Sequence, residues 1–270
     1  MPFVPPKLFK FSMQQLLLDT HIIMVNGKRM SGKSTLLADI LFQHRYFRKF
    51  VVMAGSEGPS GFYNNLQIPK RFVRDGFDPI YLNKLWTMQK EQQSPCCLIL
   101  DDLSFDDGLW KNKDIIEIFN KGRHYKMGLI FASQYVMHVP LKLRGQVDWV
   151  FALGDNNCAA QERMQKAYFA FIPTIKDFRD IFLHFTADYG ALISNCNSNH
   201  TDVTKCMYWF KATPRAGQFH IGCPEYREMY DAKQTLSKED ARYGEGCRRR
   251  NIDTVHYNDE GTKRKKISKA

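Results

Sequence analysis

Short apolar runs alternate with segments of helical spacing along the first two thirds of the chain. The runs are rich in β-branched and aliphatic residues, typical of strands buried on both faces. They lie at 21–26, 50–54, 96–100, 127–132 and 149–153. Between and after these runs, 34–42, 114–120 and 156–170 carry apolar residues at helical spacing. This alternation predicts an α/β fold, with a mostly parallel sheet covered by helices on both faces.

The pattern changes outside this alternation. Residues 62–94 are polar and aromatic and predict one or two helices with loops, while 190–193 and 203–211 predict a C-terminal β-hairpin around a polar loop. Three prolines among the first six residues mark 1–14 as an N-terminal lead-in. We therefore expect one domain over 15–215 and a basic, partly disordered C-terminal extension over 216–270.

The net charge of the chain indicates a kind of binding partner. The formal net charge is +11, and residues 241–270 contribute +5 of it. Such a balance favours an acidic partner such as nucleic acid. The clusters Arg248–Arg250 and Lys263–Lys266 are dense enough to attract phosphate backbones without base preference, or to act as an import signal. A tail that only aids solubility explains them equally well.

Cysteine spacing and hydropathy indicate the cellular compartment of the protein. Seven irregularly spaced cysteines predict no disulfide framework, and Cys96 and Cys97 fall in an apolar run that buries thiols. A zinc site could be imagined in one cluster, but its spacings match no short paired zinc pattern: Cys196, His200, Cys206 and Cys223. No segment approaches the ~20 apolar residues of a membrane span, and the start lacks a signal-peptide core. We expect a soluble, intracellular protein.

A phosphate-binding loop follows the first apolar run. Residues 27–34 fit G-x-x-x-x-G-K-S directly after a predicted strand and at the start of a predicted helix. Its backbone N–H groups are expected to point at phosphate oxygens, with Lys33 reaching the β- and γ-phosphates of ATP and the Ser34 hydroxyl binding Mg²⁺. The predicted fold is thus a RecA-like P-loop NTPase. The nucleotide-binding residues are Gly27, Lys28, Arg29, Met30, Ser31, Gly32, Lys33, Ser34 and Thr35.

Two aspartates follow the apolar run at 96–100. A buried strand that ends in acid places Asp101 near Ser34, where it is expected to hold Mg²⁺. Asp102 is the candidate base that orients and deprotonates the attacking water. The alternative is a pair of solvated acids at the end of a strand.

The stretch 120–148 resembles one family of motors. It contains Asn-Lys-Gly-Arg-His-Tyr at 120–125, Ser-Gln at 133–134, His-Val-Pro at 138–140, and Leu143 before Arg144. These features look like the DNA-packaging ATPases of large nucleocytoplasmic DNA viruses, poxviruses among them, in the FtsK–HerA superfamily. The resemblance runs from about residue 22 to 212. Related motors outside the viruses usually carry Asp-Glu where this chain has Asp101-Asp102, which shortens the candidate base.

The resemblance implies a homo-oligomeric ring, a hexamer or pentamer, that drives double-stranded DNA into a capsid without sequence preference. Gln134 then senses the γ-phosphate, and Arg123, or alternatively Arg144, approaches the neighbouring subunit's nucleotide. Without the family, Arg123 is a basic residue near a helix C-terminus, where the helix dipole favours cations. A capsid or portal-like docking partner is also implied.

The resemblance also suggests a location in the cytoplasmic virus factory and the virion, while the basic tail leaves the nucleus open. Other P-loop functions remain as alternatives. A helicase or DNA-segregation-type motor keeps the ATPase and changes the task. A nucleotide kinase would need an arginine-rich lid and an acceptor pocket, and a non-hydrolysing binding module would need neither base nor ring.

Overall fold

The computed structural model describes residues 4–103, 108–200, 202–215, 219 and 221–228. The strands of this described part form one sheet in the order β1-β9-β8-β7-β2-β6-β5-β3-β4. Their bounds are β1 Phe9–Lys10, β2 Ile22–Asn26, β3 Phe50–Ala54, β4 Val73–Asp75, β5 Cys96–Asp101, β6 Met127–Ser133, β7 Trp149–Leu153, β8 Gly190–Asn195 and β9 Met207–Lys211. All adjacent pairs are parallel except the two that involve β8.

The central strands are buried along their whole length. Every residue of β2, β3, β5, β6 and β7 is buried, because a parallel sheet covered on both faces leaves no polar face. The predicted α/β class and the mostly parallel sheet are confirmed. β8 and β9 form the predicted antiparallel hairpin.

Helices connect the parallel strands. Their bounds are α1 Lys33–Gln43, α2 Glu57–Ser60, α3 Phe62–Asn65, α4 Pro79–Gln92, α5 Lys113–Lys121, α6 Leu141–Arg144, α7 Cys158–Tyr168 and α8 Ile175–Thr186. Through α1 the chain moves outward along the sheet from β2 to β3, and through α4 and α5 it returns to β5 and β6. Right-handed crossovers in opposite directions place α1 on one face and α4 with α5 on the other.

Five strands and α-helices were not predicted, and two of them, α2 and α6, are helices of only four residues. The strand β1 has two residues and β4 has three, both too short for a period-2 pattern to develop. The helix α8 does carry the signal of an amphipathic helix, since Phe178, Ile181 and Phe182 are buried at helical spacing. This helix was nevertheless not predicted. None of the helices in the described part is long and apolar enough to cross a membrane.

Segments at both ends of the predicted domain pack against it. β1 lies within the proposed lead-in and pairs with β9, and Leu8 and Phe11 join the core. After the predicted boundary at 215, Ile221 and Tyr226 are also core residues, and the Tyr226 hydroxyl donates to the carbonyl of Phe50 at 2.7 Å. The domain boundaries stay predictions. The two basic clusters of the tail lie outside the described residues.

The cysteines of β5 are free and buried, as expected from their apolar run. Burial raises the pKa values of both Cys96 and Cys97. Within the described ranges, no three His, Cys, Asp or Glu side chains are grouped so as to hold a metal ion.

Candidate nucleotide site

The register of the sheet brings the predicted site residues to one edge. Asn26 at the end of β2 pairs with Ser133 at the end of β6, and Asp101 at the end of β5 pairs with Ala132. The phosphate loop, the acidic pair and Gln134 each begin where one of these parallel strands ends. They therefore meet at the carboxyl edge of the sheet, where α/β folds bind ligands.

The loop itself is anchored to the sheet and to α1. The backbone N–H of Gly27 donates to the carbonyl of Ser133 at 3.1 Å. Gly32 caps α1 with φ of 95°, in the left-handed region that favours glycine. The first N–H groups of α1 thus face the loop, an arrangement suited to phosphate.

Lys33 is held by its own loop. Its Nζ donates to the carbonyls of Gly27 at 2.7 Å and Lys28 at 2.9 Å. Burial lowers the pKa of Lys33, and the charges of Asp101 and Asp102 partly offset that effect. A triphosphate in the loop would give the ammonium a charged partner in place of two carbonyls, a stronger hydrogen bond.

Asp101 is buried and bonded to an aromatic hydroxyl. The Tyr63 hydroxyl donates to its Oδ2 at 2.8 Å. Burial raises the pKa of Asp101, whereas the bond from Tyr63 and the charge of Lys33 lower it. A nearby cation would stabilise the buried Asp101 carboxylate. The Ser34 side chain, at the start of α1, is exposed. A carboxylate and a hydroxyl are the oxygen ligands that suit Mg²⁺.

Asp102 and Gln134 contact each other across the sheet edge. The Gln134 Nε2 donates to Asp102 Oδ1 at 3.1 Å. Asp102 has φ of 50°, which non-glycine residues adopt uncommonly and which recurs at functional sites. The two side chains thus form a bonded pair at the edge that carries the phosphate loop.

Arg123 lies at the opposite edge of the sheet. It follows α5 and precedes β6, whose far end contacts Gly27. The seven residues of β6 at about 3.3 Å each separate the two ends by about 20 Å. The side chain is exposed. Within one subunit, Arg123 is therefore much too far from the phosphate loop to reach it.

Arg144 also lies toward that edge, at the end of α6 and before β7, but it is bonded to its own chain. Its Nε donates to the carbonyl of Val139 at 2.8 Å and its Nη2 to that of Met137 at 3.4 Å. It lines a cleft of about 580 Å³ that includes Arg163 and Lys166.

Sequence reasoning missed three residues around the site. Tyr63 bonds Asp101, and the buried Glu57 accepts from the backbone N–H groups of Tyr63 and Asn64 at 3.0 Å each. Tyr189 lines the cleft next to the phosphate loop. The first two belong to a loop-rich stretch with no periodic signal, and the third is brought in by tertiary structure alone. Nothing in their local sequence marks them.

Comparisons with known proteins show what this chain is similar to. A family model described as Poxvirus A32 protein matches residues 81–167. The uncharacterized protein 088R of Invertebrate iridescent virus 3 is 31% identical over 220 residues, covering 78% of this chain and 84% of the relative. The uncharacterized protein 075L of Invertebrate iridescent virus 6 is 29% identical, covering 77% and 83%.

One solved structure supports the fold. The genome packaging NTPase B204 from Sulfolobus turreted icosahedral virus 2, in complex with ATP-gammaS, superposes with a TM-score of 0.51 and 19% identity. The match covers 73% of this chain and 99% of that one. With the family match and the iridovirus relatives, the chain belongs to the poxvirus A32 family of packaging ATPases from large nucleocytoplasmic DNA viruses.

Proposed function

We propose that the protein is an ATP-hydrolysing motor that translocates double-stranded viral DNA into the capsid. The observation that carries this proposal is the bonded Asp102–Gln134 pair beside the phosphate loop. A phosphate loop alone permits binding, whereas a positioned carboxylate supplies a base for hydrolysis. Membership of the packaging ATPase family supports the DNA-moving task.

The nucleotide is ATP with Mg²⁺. Residues 27–35 hold the phosphates through backbone N–H groups, and Lys33 exchanges its bonds to the Gly27 and Lys28 carbonyls for phosphate oxygens. Asp101 and Ser34 would hold Mg²⁺, which would neutralise charge on the β- and γ-phosphates. The complex of the B204 NTPase with an ATP analogue supports this choice of ligand.

Hydrolysis is assigned to Asp102 and Gln134. Asp102 orients the attacking water and accepts its proton, while the Gln134 amide holds Asp102 in place. A γ-phosphate arriving near Gln134 competes for the same amide protons. Gln134 thereby couples the position of Asp102 to nucleotide binding.

A finger that adds to Lys33 at the transition state cannot be Arg123 of the same subunit, because that residue lies at the other edge of the sheet. Arg123 is exposed at the opposite edge, and in a ring that edge can face the neighbour's phosphate loop. A guanidinium inserted there would neutralise the charge that develops on the transferring phosphoryl group. The functional unit is accordingly a homo-oligomeric ring, a hexamer or pentamer, with active sites between subunits.

DNA is bound by charge. A net charge of +11 suits the phosphate backbone of double-stranded DNA without sequence preference. The motor works where viral genomes are packaged, in the cytoplasmic virus factory and at a capsid or portal-like partner. No described residue supports the import role of the basic tail.

DNA-stimulated phosphate release tests the proposal. We expect duplex DNA to raise the hydrolysis rate strongly, and Lys33→Ala to abolish it while Lys84→Ala, at an exposed lysine of α4, leaves it intact. A rate indifferent to DNA would point to a kinase or a binding module. Displacement of a third strand from a triplex, with the duplex left paired, separates translocation from helicase action.

A further inference from the structure

A cleft of about 550 Å³ opens beside the phosphate loop, on the α1 side. Neither the phosphate loop motif nor the acidic pair accounts for it. Residues of three segments line it: Met30, Gly32, Lys33, Ser34 and Thr35 from the loop and α1, Asp188 and Tyr189 before β8, and Lys211, Ala212 and Pro214 after β9.

The antiparallel strand β8 explains why these segments meet. Because β8 runs against its neighbours, its first residue lies at the carboxyl edge where the parallel strands end. Gly190 pairs there with Lys211, the last residue of β9. The residues before β8 and those after β9 are thus placed together beside the phosphate loop.

Tyr189 is the aromatic side chain of this cleft. The residue is 69% exposed, although it lies next to the buried edge of the sheet. The ring lies over the loop, because a side chain added at Gly32 would meet its Cδ1 carbon at 3.4 Å. One part of the ring therefore rests against Gly32 while much of it stays open.

The backbone holds this ring at a conformational cost. Asp188 has φ of 49° and Tyr189 has φ of 63°, two consecutive non-glycine residues in the left-handed region. Such conformations are strained for residues that carry a side chain, and they concentrate where a ligand or a site requires them. The next residue, Gly190, has no room for a side chain, since a Cβ there would strike the carbonyl oxygen of Phe185.

We propose that this cleft holds the nucleoside half of the bound nucleotide, with the base stacked on the Tyr189 ring. The inference rests on the proposed ATP site, because the triphosphate fixes where the nucleoside must begin. Lys33 and Ser34 line both the phosphate site and the cleft, so a ligand bound by its phosphates extends directly toward Tyr189. An open aromatic face next to a polar loop matches a flat aromatic base joined to a triphosphate.

The test compares two ligands that share the phosphates and differ in the base. ATP and inorganic tripolyphosphate are titrated with Mg²⁺ into the full chain by calorimetry. Tyr189→Ala should weaken ATP binding by roughly tenfold, the effect of losing one base-stacking ring, and should leave tripolyphosphate binding unchanged. Tyr189→Phe keeps the ring and should bind ATP like the unaltered protein.

Two controls separate this inference from the proposed function. Tyr46→Ala removes another exposed tyrosine, near the far end of α1, and should change neither affinity. Lys33→Ala should weaken both ligands, and an unaltered protein that binds neither would refute the nucleotide site itself. Unchanged ATP affinity in Tyr189→Ala, or an equal loss for both ligands, would refute base stacking while leaving the phosphate site standing.

Discussion

The two edges of the sheet carry different candidate site residues. At the carboxyl edge, Lys33, Asp101 and the Asp102–Gln134 pair lie together within one subunit. At the amino edge, Arg123 lies about 20 Å away along β6. A single chain therefore contains the phosphate loop, the candidate metal ligands and the candidate base in one place, and its candidate arginine finger in another. This separation favours active sites shared between subunits.

The two arginines of the amino edge also differ from each other. Arg123 is exposed, whereas Arg144 donates to the carbonyls of Val139 and Met137. A side chain that enters another subunit's site must be free to leave its own. Arg123 meets that condition, and Arg144 would first give up two hydrogen bonds. We therefore assign the finger to Arg123.

The largest expected effect comes from Arg123→Ala. We expect turnover to fall on the order of 10³-fold with ATP affinity unchanged, since only the transition-state charge loses its partner. Steady-state hydrolysis and ATP titration measure the two quantities. Lys142→Ala removes another exposed cation near this edge and serves as the matched control. Loss of ATP binding in Arg123→Ala would place this residue in the binding site.

Asp102→Asn should have the next largest effect. Turnover is expected to drop by ~10²-fold, the usual range for losing a positioned base. ATP binding should survive, because an asparagine oxygen still accepts from Gln134. Asp155→Asn, at a partly exposed carboxylate shortly after β7, is the control. If ATP binding collapses with Asp102→Asn, the residue is a metal ligand or a structural group.

Most of the carboxyl edge was predictable from the sequence, whereas the long-range contacts of its residues were not. The phosphate loop and the acidic pair are each a short contiguous motif. A buried apolar strand leads into each motif and fixes which edge of the sheet it occupies. The Tyr63–Asp101 bond joins residues 38 positions apart, and no local pattern encodes it. The placement of Arg123 far from Gly27 follows from strand direction, which the alternation of helices and strands already implied.

One long-range contact could be predicted in part from the sequence. Asp39 interrupts the apolar face of α1 and is completely buried. It accepts from Arg215 Nε at 2.8 Å, from Arg215 Nη2 at 2.6 Å and from the Thr213 N–H at 2.9 Å. An acid within a buried helix face predicts a cationic partner, although the sequence does not say which one.

Arg215→Ala tests how much that contact contributes to the free energy of unfolding. Removal leaves the buried Asp39 charge without its cation, and we expect the free energy of unfolding to fall by about 2 kcal/mol. This is less than for a fully buried pair because Arg215 stays 22% exposed. Denaturant titration measures the change. The double variant with Asp39→Ala should lose less than the sum of the single variants, and simple additivity would show that the two residues are not coupled.

Arg144→Ala should have the smallest effect on turnover. The loss of its bonds to Val139 and Met137 is expected to lower the free energy of unfolding by about 1–2 kcal/mol. Hydrolysis per folded subunit should stay near that of the unaltered protein. A loss of turnover as large as that of Arg123→Ala would reassign the finger to Arg144.

The most direct test of shared active sites is a mixing experiment. Arg123→Ala and Lys33→Ala subunits are each nearly inactive alone, and are assembled together from one mixture. Some interfaces then join an intact phosphate loop to an intact finger, so ATP hydrolysis should rise well above that of either variant. Hydrolysis that stays at the level of the separate variants, in rings shown by mass to contain both subunits, would contradict an active site built from two edges.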